Sequence, residues 1–251
     1  MRSFAADPTF EALWRGAPGP GEPAAGLAAA AVPAAARRYL SHAIAPGTPR
    51  ATAVRLRMHG EIKLGKWRPF VAEEVMRRDR GFIWRARTRL LGVPVTGSDR
   101  WLDGEGSMRW KLLGLIPVMV ASGPDISRSA LGRFLLEAVW LPSLLAGPEV
   151  VWDAVDERRS TAQVSFAGEV GRLTLDCDPD GGVRTIVGPR WGDPDGQGHR
   201  YVAFGGVVEA ERCFDGYTIP SQLRLGWHYG GPRFVDEGEF FRVTVDAASY
   251  R

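Results

Sequence analysis

One stretch of this chain, residues 126–146 (ISRSALGRFLLEAVWLPSLLA), is long, apolar and helical in period, while most of what surrounds it alternates like strands. At about 3.6 residues per turn, Leu131, Phe134, Leu135, Ala138 and Val139 share one broad face, flanked by Leu136 and Trp140. Only Ser129, Arg133 and Glu137 form a polar stripe. A helix this apolar belongs in a core, so the strands must be arranged to cover it. Asp125 or Ser127 is placed to cap its start. Pro142 cannot continue it, which predicts a bend at 140–142 and a second short helix at 142–145, ended by Gly147 and Pro148.

The strand signal begins at Ala51. Val54, Leu56 and Met58 alternate with Arg55, Arg57 and His59, the pattern of a half-buried antiparallel strand with a solvated side. Runs at 67–77, 81–90, 94–101 and 107–115 follow, and in the second Phe82, Trp84 and Ala86 oppose Ile83, Arg85 and Arg87. Beyond the helix, runs at 149–155, 160–167, 170–177, 183–188, 201–214, 218–229 and 239–245 are separated by turns and by the polar loop RWGDPDGQGHR. About eleven short strands interrupted once by a buried helix predict an α+β chain, mainly antiparallel β: a large curved sheet, or half-barrel, wrapped around a central helix. Residues 33–251 read as that single domain, and the segment beginning at Pro33 as a helix at its edge. Residues 1–32 read as a flexible Ala/Pro-rich arm with a short helix at 8–14.

Charge narrows the partners. The net charge of +3 comes from 32 Lys and Arg interspersed with 29 Asp and Glu, with no basic run or recognition-helix pattern, so nucleic acid is not the expected partner. The N-terminal residues lack a signal-peptide pattern and the Ala-rich stretch at 24–36 is too short and broken to span a bilayer, which predicts a cytoplasmic chain without stable membrane insertion. Cys177 and Cys213 fit no zinc spacing and read as buried free thiols in strands, with a disulfide between neighbouring strands as the alternative; no cofactor is expected. His42, His59, His199 and His228 are scattered, and none has a second ligand at i+2 or i+4 on its own element, so no metal is expected.

The phrases MHGEIKLGKWRPF, MRWKLLGLIPV, GRFLLEAVWLPSLL, VWDAVDE, GYTIPSQLRLGWHYG and EFFRVTVDAASYR resemble an uncharacterised bacterial family of about this chain's length, known only as a domain of unknown function. The resemblance covers residues 33–251. That family's sheet pattern is similar to the lipoprotein-carrier (LolA-like) half-barrels, which implies a concave face able to shelter acyl chains.

Two groups of residues invite chemistry. Arg133, Glu137 and Trp140 fall at i, i+4 and i+7, one stripe on the central helix that would face the mouth of the half-barrel and orient a polar head group; the plain reading is a solvated ion pair beside a core Trp. Eight of the nine tryptophans fall between Trp67 and Trp227, many beside Arg or Lys, so alternation sends Trp and Arg to opposite faces. Trp84 and Trp110 are candidates for a ligand groove, as are Tyr217, Arg224 and Trp227 of the GYTIPSQLRLGWHYG segment; Arg190 and Trp191 precede the long loop and would rim the same pocket, and all of these equally fit a packed sheet. The acids at Asp99, Asp103 and Glu105, and at Asp176, Asp178 and Asp180, read as ordinary turn residues. The leading expectation is a protein that binds an apolar or amphipathic, lipid-like small molecule between sheet and helix, more a binder than an enzyme. The alternatives are an enzyme centred on Arg133 and Glu137, and a structural or partner-binding module that docks through its arm. The sequence does not specify an oligomeric state.

Overall fold

The computed structural model describes residues 4, 7–22, 32–166 and 168–251. Thirteen antiparallel strands form one sheet: β1 (Ala53–Leu64), β2 (Lys66–Arg77), β3 (Gly81–Leu90), β4 (Val93–Leu102), β5 (Glu105–Leu112), β6 (Ile116–Ser122), β7 (Val150–Ala154), β8 (Arg159–Phe166), β9 (Glu169–Cys177), β10 (Val183–Gly192), β11 (Arg200–Phe214), β12 (Tyr217–Trp227) and β13 (Glu239–Tyr250). Their spatial order is β6-β5-β4-β3-β2-β1-β13-β12-β11-β10-β9-β8-β7. The first and last strands therefore pair at the centre, Val54 opposite Tyr250 and Ile62 opposite Phe241, and join two meanders.

This order gives the helix its place. The chain leaves one free edge, β6, and must reach the other, β7, through α3 (Pro124–Leu136), a 3-10 turn (Glu137–Trp140) and α4 (Pro142–Leu145). Laid flat, twelve inter-strand gaps would separate the edges by about 57 Å, whereas these helical residues rise only about 33 Å. The sheet must curl, and the crossing helix lies on its concave face against β4, β5, β9 and β10. Phe134 is fully buried there, near-parallel to Phe82 at 6.4 Å and edge-on to Phe166 at 5.2 Å. Burial of the helix follows its wheel: Leu131, Phe134, Leu135, Ala138 and Val139 are all buried, and the bend falls at Trp140–Pro142 as Pro142 requires.

Four details differ from the sequence reading. The run at 107–115 stops as a strand at Leu112, the end of β5, and a further strand, β6, follows from Ile116, because Leu113 and Gly114 turn the chain in left-handed conformation with no polar residue to announce it. Neither Asp125 nor Ser127 caps α3: Gly123 precedes Pro124 at the first turn, the Ser127 hydroxyl accepts the Gly106 N–H at 2.8 Å, and Asp125 accepts the Trp191 indole N–H at 2.8 Å. Cys177 is buried but Cys213 is exposed, both as free thiols. The arm is not loose where it is described: α1 (Pro8–Arg15), capped by Asp7, buries Phe10 and Leu13 against Val75 and Ile83 on the convex face. Residues 23–31, the rest of that Ala/Pro stretch, lie outside the described residues. The second helix, α2 (Ala34–Ala43), follows Pro33 and buries Tyr39 and Leu40.

Because α1 covers the convex side of β2 and β3, residues of both parities in β3 are buried from Gly81 to Ala86. Arg55, expected on a solvated face, lies instead beside Glu11 of α1, and Arg85 pairs with Glu73 at 2.5 Å beneath the Phe10 ring.

Candidate functional site

Between the concave face and α3 lies a cavity of about 650 Å³, inside the roughly 300–1,000 Å³ range of small-molecule pockets. Its wall on the β1–β6 side is a contiguous aromatic group. Phe70 stacks on Phe241 at 5.0 Å and meets Trp84 edge-on at 5.9 Å, and Trp84 lies 5.7 Å from Trp110. The opposite wall carries Phe204, which meets Trp227 edge-on at 5.1 Å. Trp110 and Trp227 can lie flat to the sheet because each rests on a glycine: a β-carbon at Gly97 would come within 2.4 Å of the Trp110 ring, and one at Gly192 within 2.4 Å of Trp227.

One patch of this apolar lining is charged. Arg133, from α3, donates from Nε to Glu137 Oε1 at 2.8 Å and from Nη1 to Asp99 Oδ2 at 3.3 Å, and Nη2 lies 3.8 Å from Glu74 Oε1. Its guanidinium carbon is 4.9 Å from the ring centres of both Phe82 and Trp84. Trp110 Nε1 donates to the other Asp99 oxygen at 2.9 Å. On the β10 side Arg190 donates from Nε to the Ser129 carbonyl at 3.4 Å and lies over Phe204 and Trp227, at 4.7 and 5.2 Å, with no carboxylate of the described residues at ion-pair distance.

Burial sets the protonation of this group. Desolvation works against the Arg133 charge, but Glu137, Glu74 and Asp99 outweigh it and hold its pKa above the ordinary value. Arg190, buried and repelled by Arg133, is pushed down to about 10 and stays cationic at neutral pH. Burial raises Asp99, partly offset by Arg133 and the Trp110 N–H. Glu74, fully buried behind Arg133, is raised furthest, by desolvation and then by the neighbouring Glu137, so its neutral form is favoured. Among the described residues, the Trp84 indole N–H of the cavity wall is buried without a hydrogen-bond partner, whereas the Glu137 carboxylate lies within reach of the Glu74 carboxyl, whose neutral form donates to it.

The structure brings together seven of the ten residues singled out from the sequence: Trp84, Trp110, Arg133, Glu137, Trp140, Arg190 and Trp227 all line the cavity, whereas Trp191 is outside the lining and bonds Asp125. Trp140 does so from a fixed position, its indole donating to the Pro220 carbonyl at 3.0 Å. Tyr217 and Arg224 are elsewhere. The Tyr217 hydroxyl accepts the Ala51 N–H at 2.9 Å and donates to the Pro49 carbonyl at 2.8 Å, and its ring stacks on Tyr250 at 4.3 Å, which makes it a clasp of the core. Arg224 falls between the inward Leu223 and Leu225, so it faces out and pairs with Glu209 and Glu239. Asp99 is no turn residue: it sits in mid-strand opposite Met108 and Trp84. Glu74 was missed, though it interrupts an inward series of Phe70, Ala72 and Met76. Asp103, by contrast, is a turn residue and pairs with Arg80, and Asp176 and Asp178 are held by Arg158. Each of the four histidines faces one carboxylate, in four separate places.

A family model described as a family of unknown function (DUF6920) matches residues 30–250. No curated protein matches the chain. Among solved structures, it is similar to an outer membrane lipoprotein-sorting protein domain from Vibrio parahaemolyticus, with 8% identity and a TM-score of 0.40 over 79% of this chain and 85% of that one. It is also similar to a LolA superfamily protein from Nitrosomonas europaea, with 5% identity and a TM-score of 0.45 over 85% and 90% of the two chains.

Proposed function

We propose that this chain, which belongs to the DUF6920 family, binds an amphipathic small molecule in the cavity between its curled sheet and central helix. The observation that carries the reading is the composition of that cavity: a wall of aromatic and aliphatic side chains large enough for a lipid-like tail, interrupted by the charged group around Arg133 and Arg190. The tail would lie among Phe70, Trp84, Leu225 and Phe241, and an anionic or acceptor-bearing head would meet Arg190 and the Trp84 N–H. Polar atoms buried without partners are destabilising by about 1–3 kcal/mol each, which a ligand that bonds to them recovers.

The test is direct. Native mass spectrometry of the full chain with medium- and long-chain fatty acids and a retinoid-like probe should show a one-to-one adduct. Emission from Trp84, Trp110 and Trp227 should change in parallel. A chain that remains unliganded with every probe, with unchanged emission, refutes the reading.

A second reading is an enzyme centred on the same patch. It draws on Asp99 and Glu74, whose pKa values are shifted upward next to an arginine in a cleft, an arrangement also found where acids and bases are tuned for proton transfer. In that case Glu137→Gln would abolish a turnover that truncation of nearby apolar residues only weakens.

A further inference from the structure

Three hairpin tips lie together at one end of the β1–β6 half, between β1 and β2, β3 and β4, and β5 and β6, because all neighbouring strands there are antiparallel. Five non-glycine residues among those described have a left-handed φ. Four of them precede a glycine in a hairpin turn, with nearly identical backbones: Leu91-Gly92 (φ 51° and 84°), Asp103-Gly104 (52° and 96°), Leu113-Gly114 (54° and 73°) and Asp215-Gly216 (51° and 86°). The fifth is His228, a residue type that tolerates this region. Asp, Asn or Gly suits the first position, since other side chains crowd the backbone carbonyl there and make no local hydrogen bond in return. The turns at Asp103 and Asp215 obey the rule, and both lie at the opposite end of the sheet.

Leu91 and Leu113 break that rule, and burial does not explain them. Leu91 is 83% exposed, Leu113 57% and Leu115 78%. Neither turn chemistry nor the core accounts for leucine at these tips, and an apolar side chain there gains only when something outside the molecule covers it. The same tips stand at the rim of the cavity, whose lining runs out to Leu64, Leu90 and Leu112, the last residues of β1, β3 and β5.

The surroundings of the tips state what could cover them. Segments 61–68, 87–94 and 109–117 hold seven Lys and Arg and one acid, Glu61, in a chain whose whole excess is +3. Lys66, Arg89, Arg109 and Lys111 are exposed. The acids nearest this end of the sheet belong to the other half: in the β10–β11 connection Asp193 and Asp195, the latter held by Arg200 and Arg233, and in the β12–β13 connection Glu237, held by Arg233, and Asp236, whose carbonyl accepts from Lys63 Nζ at 3.0 Å. Leucine tips inside a basic collar match the interface of an anionic bilayer, where apolar side chains enter the acyl boundary and Lys and Arg stay at the phosphates.

We propose that the β1–β6 end docks on an anionic phospholipid surface through Leu91, Leu113 and Leu115, bringing the cavity rim against the bilayer. The proposal goes beyond binding of a small molecule: it stands on the tips and their charge and holds whether or not the cavity is filled.

Co-sedimentation of the full chain with vesicles of phosphatidylcholine alone, and of phosphatidylcholine with phosphatidylglycerol, tests it. The chain should partition onto the anionic vesicles roughly tenfold or more over the neutral ones, and high salt should release it. The double variant Leu91→Asn, Leu113→Asn places a favoured residue in both left-handed positions, so its Tm should be unchanged or raised while partitioning falls by roughly tenfold or more. The variant should still bind fatty acid in the absence of vesicles, if wild type does, which separates loss of docking from loss of the cavity. Absence of anionic-vesicle binding by the wild type, or equal binding by wild type and variant, overturns the proposal. So does self-association in sedimentation velocity that the variant abolishes, without vesicle binding, since the tips would then join copies of the chain.

Discussion

Arg133 Nε lies 2.8 Å from Glu137 Oε1 across one turn at the end of α3, and the pair is turned into the cavity wall, where Asp99 and Glu74 complete the surroundings of the guanidinium. An exposed pair at this spacing contributes about 0.3–0.5 kcal/mol. Here the partners are largely buried, so removing the cation strands carboxylates in a desolvated site. Arg133→Met should destabilise the fold by about 3–5 kcal/mol at neutral pH. The deficit should shrink as pH falls toward 4, where the stranded acids take up protons. Urea unfolding at pH 5 and pH 8 checks both the size and the pH trend.

Glu74 makes a separate pH prediction. Its folded pKa is raised, by burial and then by Glu137, so between the ordinary carboxylate value of about 4.3 and that raised value the native state holds a proton the unfolded state has lost. Its contribution is therefore intact below about pH 4.3 and declines as pH rises through this window. Glu74→Gln, neutral at every pH, should lose this decline and be more stable than wild type at pH 8, relative to pH 4. A urea midpoint that follows pH equally in both proteins contradicts the assignment.

What the sequence discloses, and what it withholds, follows from periodicity. Phe82, Trp84 and Ala86 announced an inward face because every second residue was apolar, and Arg133 and Glu137 announced a stripe because the helical spacing was unbroken. Asp99 was hidden: the run Gly97-Ser98-Asp99-Arg100 is polar throughout, so nothing in it fixes which residues point inward, and it looks like a turn. Glu73 and Glu74 hide each other, since adjacent acids look like one solvated step although the pleat sends them to opposite faces. Arg224 could have been excluded, because Leu223, Leu225 and Trp227 set the inward phase of β12. The β5–β6 turn gave no signal, for the same reason that makes its leucines informative.

Filling the cavity should separate ligand binding from folding. Leu225 lines it and is only partly buried, so Leu225→Trp can place its ring in open space between sheet and helix. Stability should change by no more than about 1–3 kcal/mol, the usual range for added bulk, whereas affinity for a fatty-acid probe should fall by roughly tenfold or more. Isothermal titration alongside thermal melts measures both.

On the other side of the sheet, Phe10 is fully buried against the Arg85 guanidinium, 3.9 Å from the ring centre. Phe10→Ala removes the main apolar anchor of α1 and should destabilise by about 3–5 kcal/mol. Since the cavity lies on the concave face, probe affinity under native conditions should be unchanged. A variant that unfolds at the wild-type urea concentration would mean that α1 detaches at little cost and that the convex face does not depend on it.

The two thiols offer a check on the fold that needs no variant. Cys213 is exposed on β11, whereas Cys177 is fully buried near the end of β9, and burial, with the nearby Glu211 and Asp176, pushes its thiol up to about 12. Because the thiolate is the reactive form, a neutral, enclosed Cys177 should be inert in the native state. Titration with a disulfide reagent at pH 8 should register one fast thiol, from Cys213, and a second only in denaturant. Two fast thiols in the native protein would mean that β9 opens at its end. A single equivalent, with tryptic mapping of the label to Cys213, fixes the inward phase of β9 and with it the register that sets Leu173 and Leu175 beneath the central helix.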